Sequence, residues 1–340
     1  MSATGMAVTG GKGLLPDRHP TADFFICDIL DAIPKDDLVS MEHPLFSLST
    51  RPDRRILRYE HGEALIEITP SVKGLATIHD KDILIYCISQ LMAAVNAGRA
   101  VSRVLHLKAH DLLVATNRET SGDGYKRLRE AFERLSGTRI TTNIATSDEE
   151  TTTGFGLIES WQIARKTRAG RMISVSVVLS EWLFRAVLSR SVLTLSRDYF
   201  RLRKPLERRI YEIARKHCGR QPEWRVGLET LLKKSGSASP RRVFRKMIRD
   251  MIAANHLPDY EIFEEEGDII RFTSRAGVLD EGPTPVLKTE TLEAARDLMP
   301  GFDVYALEAE WKAYWIRTGR PRLRSADAAF LGWVKRKRTG

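Results

Sequence analysis

The chain has 340 residues, 42% of them hydrophobic, enough for two or three domains with real cores, which excludes a disordered protein. Its formal net charge of +10 and pI near 9.6 point to a polyanionic partner. Three cysteines without a CxxC pair exclude a disulfide framework and a zinc site, and the longest apolar run, residues 83–95, is too short and too polar to span a bilayer, so a soluble cytoplasmic protein without membrane contact is expected.

Residues 1–20, rich in Gly, Thr and Ser without periodicity, read as a flexible tail. GGKG at 10–13 fails as a phosphate-binding loop, because Met6 and Gly13 stand where a Gly and a Ser or Thr are required; no nucleotide or other cofactor is expected. Residues 21–75 read as an N-terminal capping segment whose last part alternates around His61 and Gly62 like a hairpin. Its carboxylates, Asp23, Asp28, Asp31, Asp36 and Asp37, have no His at ligand spacing and read as solvated surface, not as a metal site.

Residues 76–190 form the first expected domain. A buried helix starts at an Asp80 cap and stops at Gly98; RVLHLKAHDLLVATN gives a short strand and a helix; YKRLREAFERLSG gives a third helix that buries Tyr125, Leu128, Phe132 and Leu135. The outer face of that third helix, Lys126, Arg127, Glu130 and Arg134, is mixed in sign. TRITTNIATS and GFGLIESWQIAR then alternate like two long strands, and RMISVSVVL adds another. Helix, helix, turn, helix, hairpin is the order of a winged helix-turn-helix. SEWLFRAVLSR is a connecting helix.

Residues 191–276 repeat that order, with helices at KPLERRIYEIARKHCG, VGLETLLKKSG and SPRRVFRKMIRDMIAA, then a hairpin turning near Gly267. His217 beside Cys218 reads as a helix C-terminus, where the dipole favours it. The third helix, 239–254, is the stretch that organises the rest. Val243, Phe244, Met247, Ile248, Met251 and Ile252 share one arc, while Arg242, Lys246 and Arg249 stand opposite, with Arg245 on the flank and Asp250 as the nearby anion. Ser235, Ser237 and Ser239 are N-cap candidates and Pro240 suits a first helical position.

Nineteen Lys or Arg lie between Arg185 and Arg249, a local excess larger than the charge of the whole chain. Ser239, Arg241, Arg242, Arg245, Lys246 and Arg249 are therefore candidates for base readout, because a guanidinium fork can bond guanine O6 and N7 together. Lys126, Arg127, Arg134, Arg201, Arg203, Lys204, Arg208 and Arg209 are candidates for phosphate contact. Residues 277–289, with two prolines and two glycines, read as a linker, and 290–340 as a small helical module. There Trp311, Trp315, Phe330 and Trp333 suit the core of a mini-domain by their spacing; the other reading is stacking on unpaired bases beside Arg320, Arg322 and Arg324. The fold class expected is α+β, two tandem winged helices with a C-terminal helical module.

The runs TPSVKGLATIHDKDILIYCISQLM (69–92), YKRLREAFERLSGTRITTNI (125–144) and KPLERRIYEIARKHCG (204–219), with DVYALEAEWKAYW and ADAAFLGWVKRK in the tail, resemble the plasmid replication initiator protein A family of proteobacteria, over residues 20–275 and into the tail. The resemblance implies tandem winged helices that bind repeated duplex sites, iterons, at a plasmid origin. It further implies opening of an adjacent AT-rich segment, recruitment of the host initiator and replicative helicase, and homodimers that repress their own gene while monomers activate the origin. One rival is a winged-helix transcriptional regulator without a replication role. Another is a nicking enzyme with a Tyr nucleophile; His106 and His110 are separated by three residues rather than the one its metal pair needs, and Tyr199 has no matching His or carboxylate neighbourhood, so no catalytic residue and no metal are expected.

Overall fold

The computed structural model describes residues 13–19, 25–26, 44–61, 64–96, 99–146, 149–165, 172–188, 194–218, 221–275, 285–299, 302, 304–317, 323 and 325–339. Among these the elements run β1 (Phe25–Ile26), β2 (Leu57–His61), β3 (Ala64–Thr69), α1 (Lys81–Asn96), β4 (Val104–Lys108), α2 (Ala109–Ala115), α3 (Gly122–Gly137), β5 (Arg139–Thr146), β6 (Glu149–Gly156), β7 (Ile158–Arg165), β8 (Met172–Leu179), α4 (Glu181–Leu188) and β9 (Thr194–Leu195). A 3₁₀ turn, Arg197–Arg201, leads to α5 (Pro205–Cys218), β10 (Glu223–Gly227), α6 (Leu228–Ser235), α7 (Arg241–Ala254), β11 (Tyr260–Glu265), β12 (Ile269–Ser274), α8 (Thr289–Leu298), α9 (Val304–Arg317) and α10 (Ala326–Thr339). The class is α+β. Residues 1–12, the five aspartates between 23 and 37, Cys27, most of the linker and Arg320, Arg322 and Arg324 lie outside the described residues.

The chain passes twice through one topology. In the first unit α1, β4, α2, α3, β7 and β8 build a three-stranded sheet of order β4-β8-β7; in the second, α5, β10, α6, α7, β11 and β12 build one of order β10-β12-β11. Two details differ from the sequence expectation. The second unit has a strand, β10, where a helix was expected to begin at Val226, because Trp224 and Val226 face the core as a half-buried strand does and stack on β12, Trp224 lying 5.4 Å from Phe272. In the first unit β5 and β6 do not form the hairpin on the unit's own sheet. They pair with β3 and β2 in a four-stranded sheet of order β2-β3-β5-β6, so part of the expected capping segment shares a sheet with residues 139–156.

One continuous hydrophobic core runs from Leu45 to Phe272 and spans both units. A second, from Leu287 to Val334, closes α8, α9 and α10 on one another. Trp311 and Phe330 meet edge to face at 5.5 Å and are 3% and 0% exposed, so both belong to that core and not to a stacking platform.

The start of α1 joins the two units electrostatically. The Thr77 amide donates to Asp80 Oδ2 at 2.9 Å and the Asp80 amide to Thr77 Oγ1 at 3.3 Å, a reciprocal pair across the turn that leads into α1, with Asp80 immediately before its first residue. Asp80, Lys81 and Asp82 are all buried. Each takes a different partner: Asp80 accepts from Nε and Nη2 of Arg134 on α3 at 2.7 and 2.8 Å, Lys81 meets Glu212 of α5 at 2.9 Å, and Asp82 meets Arg208 of α5 at 2.6 Å and Arg118 at 3.2 Å. Burial alone would raise the Glu212 carboxyl, but Lys81 and Arg209 outweigh it and hold the group below its ordinary range. Residues 13–19, expected as part of a tail, are instead packed across this junction. The Leu15 amide donates to the Arg201 carbonyl at 2.8 Å, and the Arg18 amide to Asn117 Oδ1 at 2.7 Å, so the segment is bonded to one residue of each unit.

Candidate nucleic-acid interface

Helix α7 follows α6 through a tight turn that Gly236 makes possible. Its φ is +68°, and a Cβ there would sit 2.0 Å from Pro44 Cγ. The three serines do not cap α7; they lace the turn, the Ser237 amide donating to Ser235 Oγ at 3.2 Å and the Ser239 amide to Ser237 Oγ at 3.3 Å. Pro240 occupies the N-cap without a side-chain bond, and Asn255 ends the helix in the left-handed conformation with its amide donating to the Met251 carbonyl.

The apolar arc of α7 is narrower than the sequence suggested. Phe244, Ile248 and Met251 are buried, Met247 and Ile252 half-buried, and Val243 is 46% exposed on the cationic side. With Arg241, Arg242, Arg245, Lys246, Arg249 and Asp268 it lines an open groove between α7 and the β11–β12 hairpin. The five cations divide into two groups. Arg241 and Arg245 both reach Asp268 on the hairpin, Arg245 at 2.6 Å, and Arg249 places Nε and Nη2 on the two oxygens of Glu264 at 2.6 and 2.9 Å. The hydrogen bond from Arg249 holds the Glu264 carboxyl below its ordinary value, and its return effect raises Arg249. Arg242 and Lys246 are exposed and have no ion-pair partner among the described residues. Ser239 is half-buried at the helix entrance.

The phosphate candidates scatter. Lys126 and Arg127 are exposed on α3, Arg127 lying 3.6 Å from Glu119. Arg203 and Lys204 are exposed, Lys204 at 3.1 Å from Glu207. Arg134 is committed to Asp80, and Arg201 donates to the Leu15 carbonyl at 2.7 Å and pairs with Asp198 at 2.8 Å. Arg208 and Arg209, expected on the surface, are buried. Arg208 donates to Asp82 and to the Leu202 and Phe200 carbonyls, and Arg209 to the Lys234 carbonyl and Glu212, so neither guanidinium is open to a phosphate. An amphipathic helix pattern cannot tell a solvated arginine from one that meets an acid of another unit; the signal that was available is Asp80-Lys81-Asp82, three charges at the mouth of an otherwise apolar helix.

Two features bear on other chemistry. Tyr199 is fully buried and its hydroxyl donates to Glu212 Oε1 at 2.7 Å, so burial and the adjacent carboxylate push its pKa well above the ordinary tyrosine value. Among the described residues no cluster of three or more His, Cys, Asp or Glu is placed to hold a metal ion, and no helix is long and apolar enough to cross a membrane.

A family model described as replication initiator protein A matches residues 35–262. A protein of Wigglesworthia glossinidia brevipalpis that carries a replication-protein name is 40% identical over 269 residues, covering 78% of this chain and 98% of that protein. A crystal structure of domains 2 and 3 of RctB superposes with a TM-score of 0.51 at 16% identity, covering 68% of this chain and 94% of that one, a likeness of fold alone. The chain belongs to the replication initiator protein A family.

Proposed function

We propose that this initiator is a non-enzymatic, cytoplasmic protein whose two repeated units are winged helix-turn-helices, and that α7 and α3 enter successive major grooves of repeated sites at a plasmid origin. The observation that carries the reading is the outer face of α7, where Arg242, Lys246 and Val243 face solvent unpaired behind the tight Gly236 turn. Arg242 and Lys246 are assigned to base edges, Val243 to a thymine methyl, and Lys126, Arg127, Arg203 and Lys204 to phosphates. Binding and bending then drive opening of an adjacent AT-rich segment without nucleotide hydrolysis, host initiator and helicase are recruited, and homodimers repress the initiator's own gene. The buried Tyr199 supports the absence of a nicking step.

The test is a salt series of binding to tiled duplexes flanking the gene, with wild type and Arg242→Ala/Lys246→Ala. Tight wild-type binding to a direct repeat is expected, with lost sequence preference in the double variant at about 1–3 kcal/mol for each base contact removed. Absence of repeat-specific binding by the wild type overturns the reading. Replication of an origin plasmid with the protein supplied in trans separates it from a transcriptional regulator.

A further inference from the structure

The hairpin that borders α7 is acidic where a DNA-facing hairpin would gain from cations: Glu264, Glu265, Glu266 and Asp268 surround Gly267. Two of these acids face α7 and hold three of its five cations, Asp268 taking Arg241 and Arg245, and Glu264 taking Arg249 through both oxygens. Glu265 turns to the other side and pairs with Arg225 and Arg271, as the two-residue period of a strand requires. Glu266 is exposed with no partner among the described residues. The acids are carried on rigid backbone: β12 lies between β10 and β11, and the Asp268 carbonyl accepts from the Leu228 amide at 2.8 Å, which ties the hairpin tip to the first residue of α6.

We propose that Glu264 and Asp268 are specificity-determining positioning residues, an anionic rail that keeps Arg241, Arg245 and Arg249 from phosphates and leaves Arg242, Val243 and Lys246 to meet the bases. This rests on the reading of α7 as a DNA-recognition helix. A duplex of the wrong sequence offers only phosphates, and phosphates must displace carboxylates already seated at 2.6 Å before gaining those three cations. A duplex of the right sequence binds through the two unpaired cations and Val243 and leaves the pairs intact. The rail therefore weakens non-specific binding more than specific binding, as specificity through an element directed against the wrong partner demands. Arg245 shows how little else restrains it: its Nε is buried without a hydrogen-bond partner, so loss of Asp268 frees the guanidinium to seek another acceptor.

The experiment uses the full chain, a duplex bearing its direct repeat and a scrambled duplex of equal length, across a salt series. Glu264→Gln, Asp268→Asn and the control Glu266→Gln each remove one negative charge, and Asn tolerates the Asp268 φ of +61°. Expected are a gain of about fivefold to tenfold on scrambled DNA for Asp268→Asn and a smaller gain for Glu264→Gln, with salt slopes steeper by about 1.8 and 0.9 respectively, and little change on the repeat or in Glu266→Gln. Equal gains on both duplexes, or the same gain in Glu266→Gln, overturn the rail as a positioning device and leave only bulk charge. No gain in either pairing variant overturns it outright. A wild type that does not distinguish the repeat overturns the recognition reading and the rail with it, whereas a discriminating wild type with unaltered variants overturns the rail alone.

Discussion

Helices α3 and α7 stand at the same place in the repeated topology, each the third helix of its unit, yet their cations are spent differently. On α3, Arg134 closes on the buried Asp80, Arg129 on Glu133 of the same helix at 3.1 Å, and Arg127 lies near Glu119. On α7 the acids come from a separate, exposed hairpin, and two cations keep no partner among the described residues. Topology therefore does not fix how the cations of the third helix are paired; the source of the counter-charge does. An acid in the core cannot be exchanged for a phosphate without opening the protein, while an acid on a surface hairpin can.

The largest test of buried against exposed counter-charge lies at the junction of the two units. Glu212→Ala would leave Lys81 and Arg209 buried without their carboxylate and the Tyr199 hydroxyl without its acceptor. Removing one member of a buried ion pair costs about 3–5 kcal/mol, so denaturant unfolding should show a loss of that size. Arg242→Ala on α7 should change stability by no more than about 0.5 kcal/mol. A cost below about 1 kcal/mol for Glu212→Ala would mean that the junction network does not hold the units together.

Acid should attack the same junction first. Burial, then the charges of Arg208 and Arg118, bring His79 down to about 3 despite the opposing Asp80. The folded state thus keeps the ring neutral between pH 6.5 and 3 while the unfolded chain protonates it, so stability is full above pH 6.5 and falls as pH drops through that window, by up to about 1.4 kcal/mol per unit. Thermal unfolding of His79→Gln against wild type from pH 7 to 4 reads it; parallel declines would assign the acid sensitivity to other groups.

Two left-handed glycines give a smaller contrast. Gly236, in the α6–α7 turn, and Gly267, at the hairpin tip, have φ of +68° and +73°, but an added Cβ meets Pro44 at the first and nothing within 4 Å at the second. Gly236→Ala should therefore cost about 2–3 kcal/mol and Gly267→Ala about 1 kcal/mol, the part due to backbone conformation alone. Equal costs in urea titrations would show that the contact with Pro44 yields without penalty.

Periodicity made the helices and the two-fold pass through one topology legible, because burial of an apolar arc is local information. Phe244, Ile248 and Met251 were readable in this way, and so was the Gly236 stop. Pairing was not readable. β5 and β6 alternate as strands in any sheet, and only the tertiary structure shows that they join β2 and β3. Arg208 and Arg209 looked like surface on α5 for the same reason: their acids, Asp82 and Glu212, lie 126 and 3 residues away, and the nearer one is itself buried by a distant contact with Lys81. The acidic hairpin was visible as letters, but its registry against α7 was not.

Val243 carries the finest distinction between the two helices. It was expected in the apolar arc, yet it is 46% exposed beside Arg242 and Lys246, and on the cationic outer face of α3 no residue of comparable apolarity is exposed. Val243→Ala should leave stability within about 0.5 kcal/mol of wild type, since little of the side chain is buried. On the proposed reading of α7 its effect belongs to binding. If the isopropyl group rests on a thymine methyl, replacing that thymine by deoxyuridine should weaken wild-type binding by about fourfold, the worth of one buried methyl near 0.8 kcal/mol. The alanine variant should lose the same factor on the thymine duplex and nothing further on the deoxyuridine duplex, because the two changes remove opposite sides of one contact. Losses that multiply would place the methyl and Val243 in separate interactions and leave the α7 face to charge alone, whereas Lys126→Ala on α3, assigned to a phosphate, should weaken repeat and scrambled duplexes alike in either case.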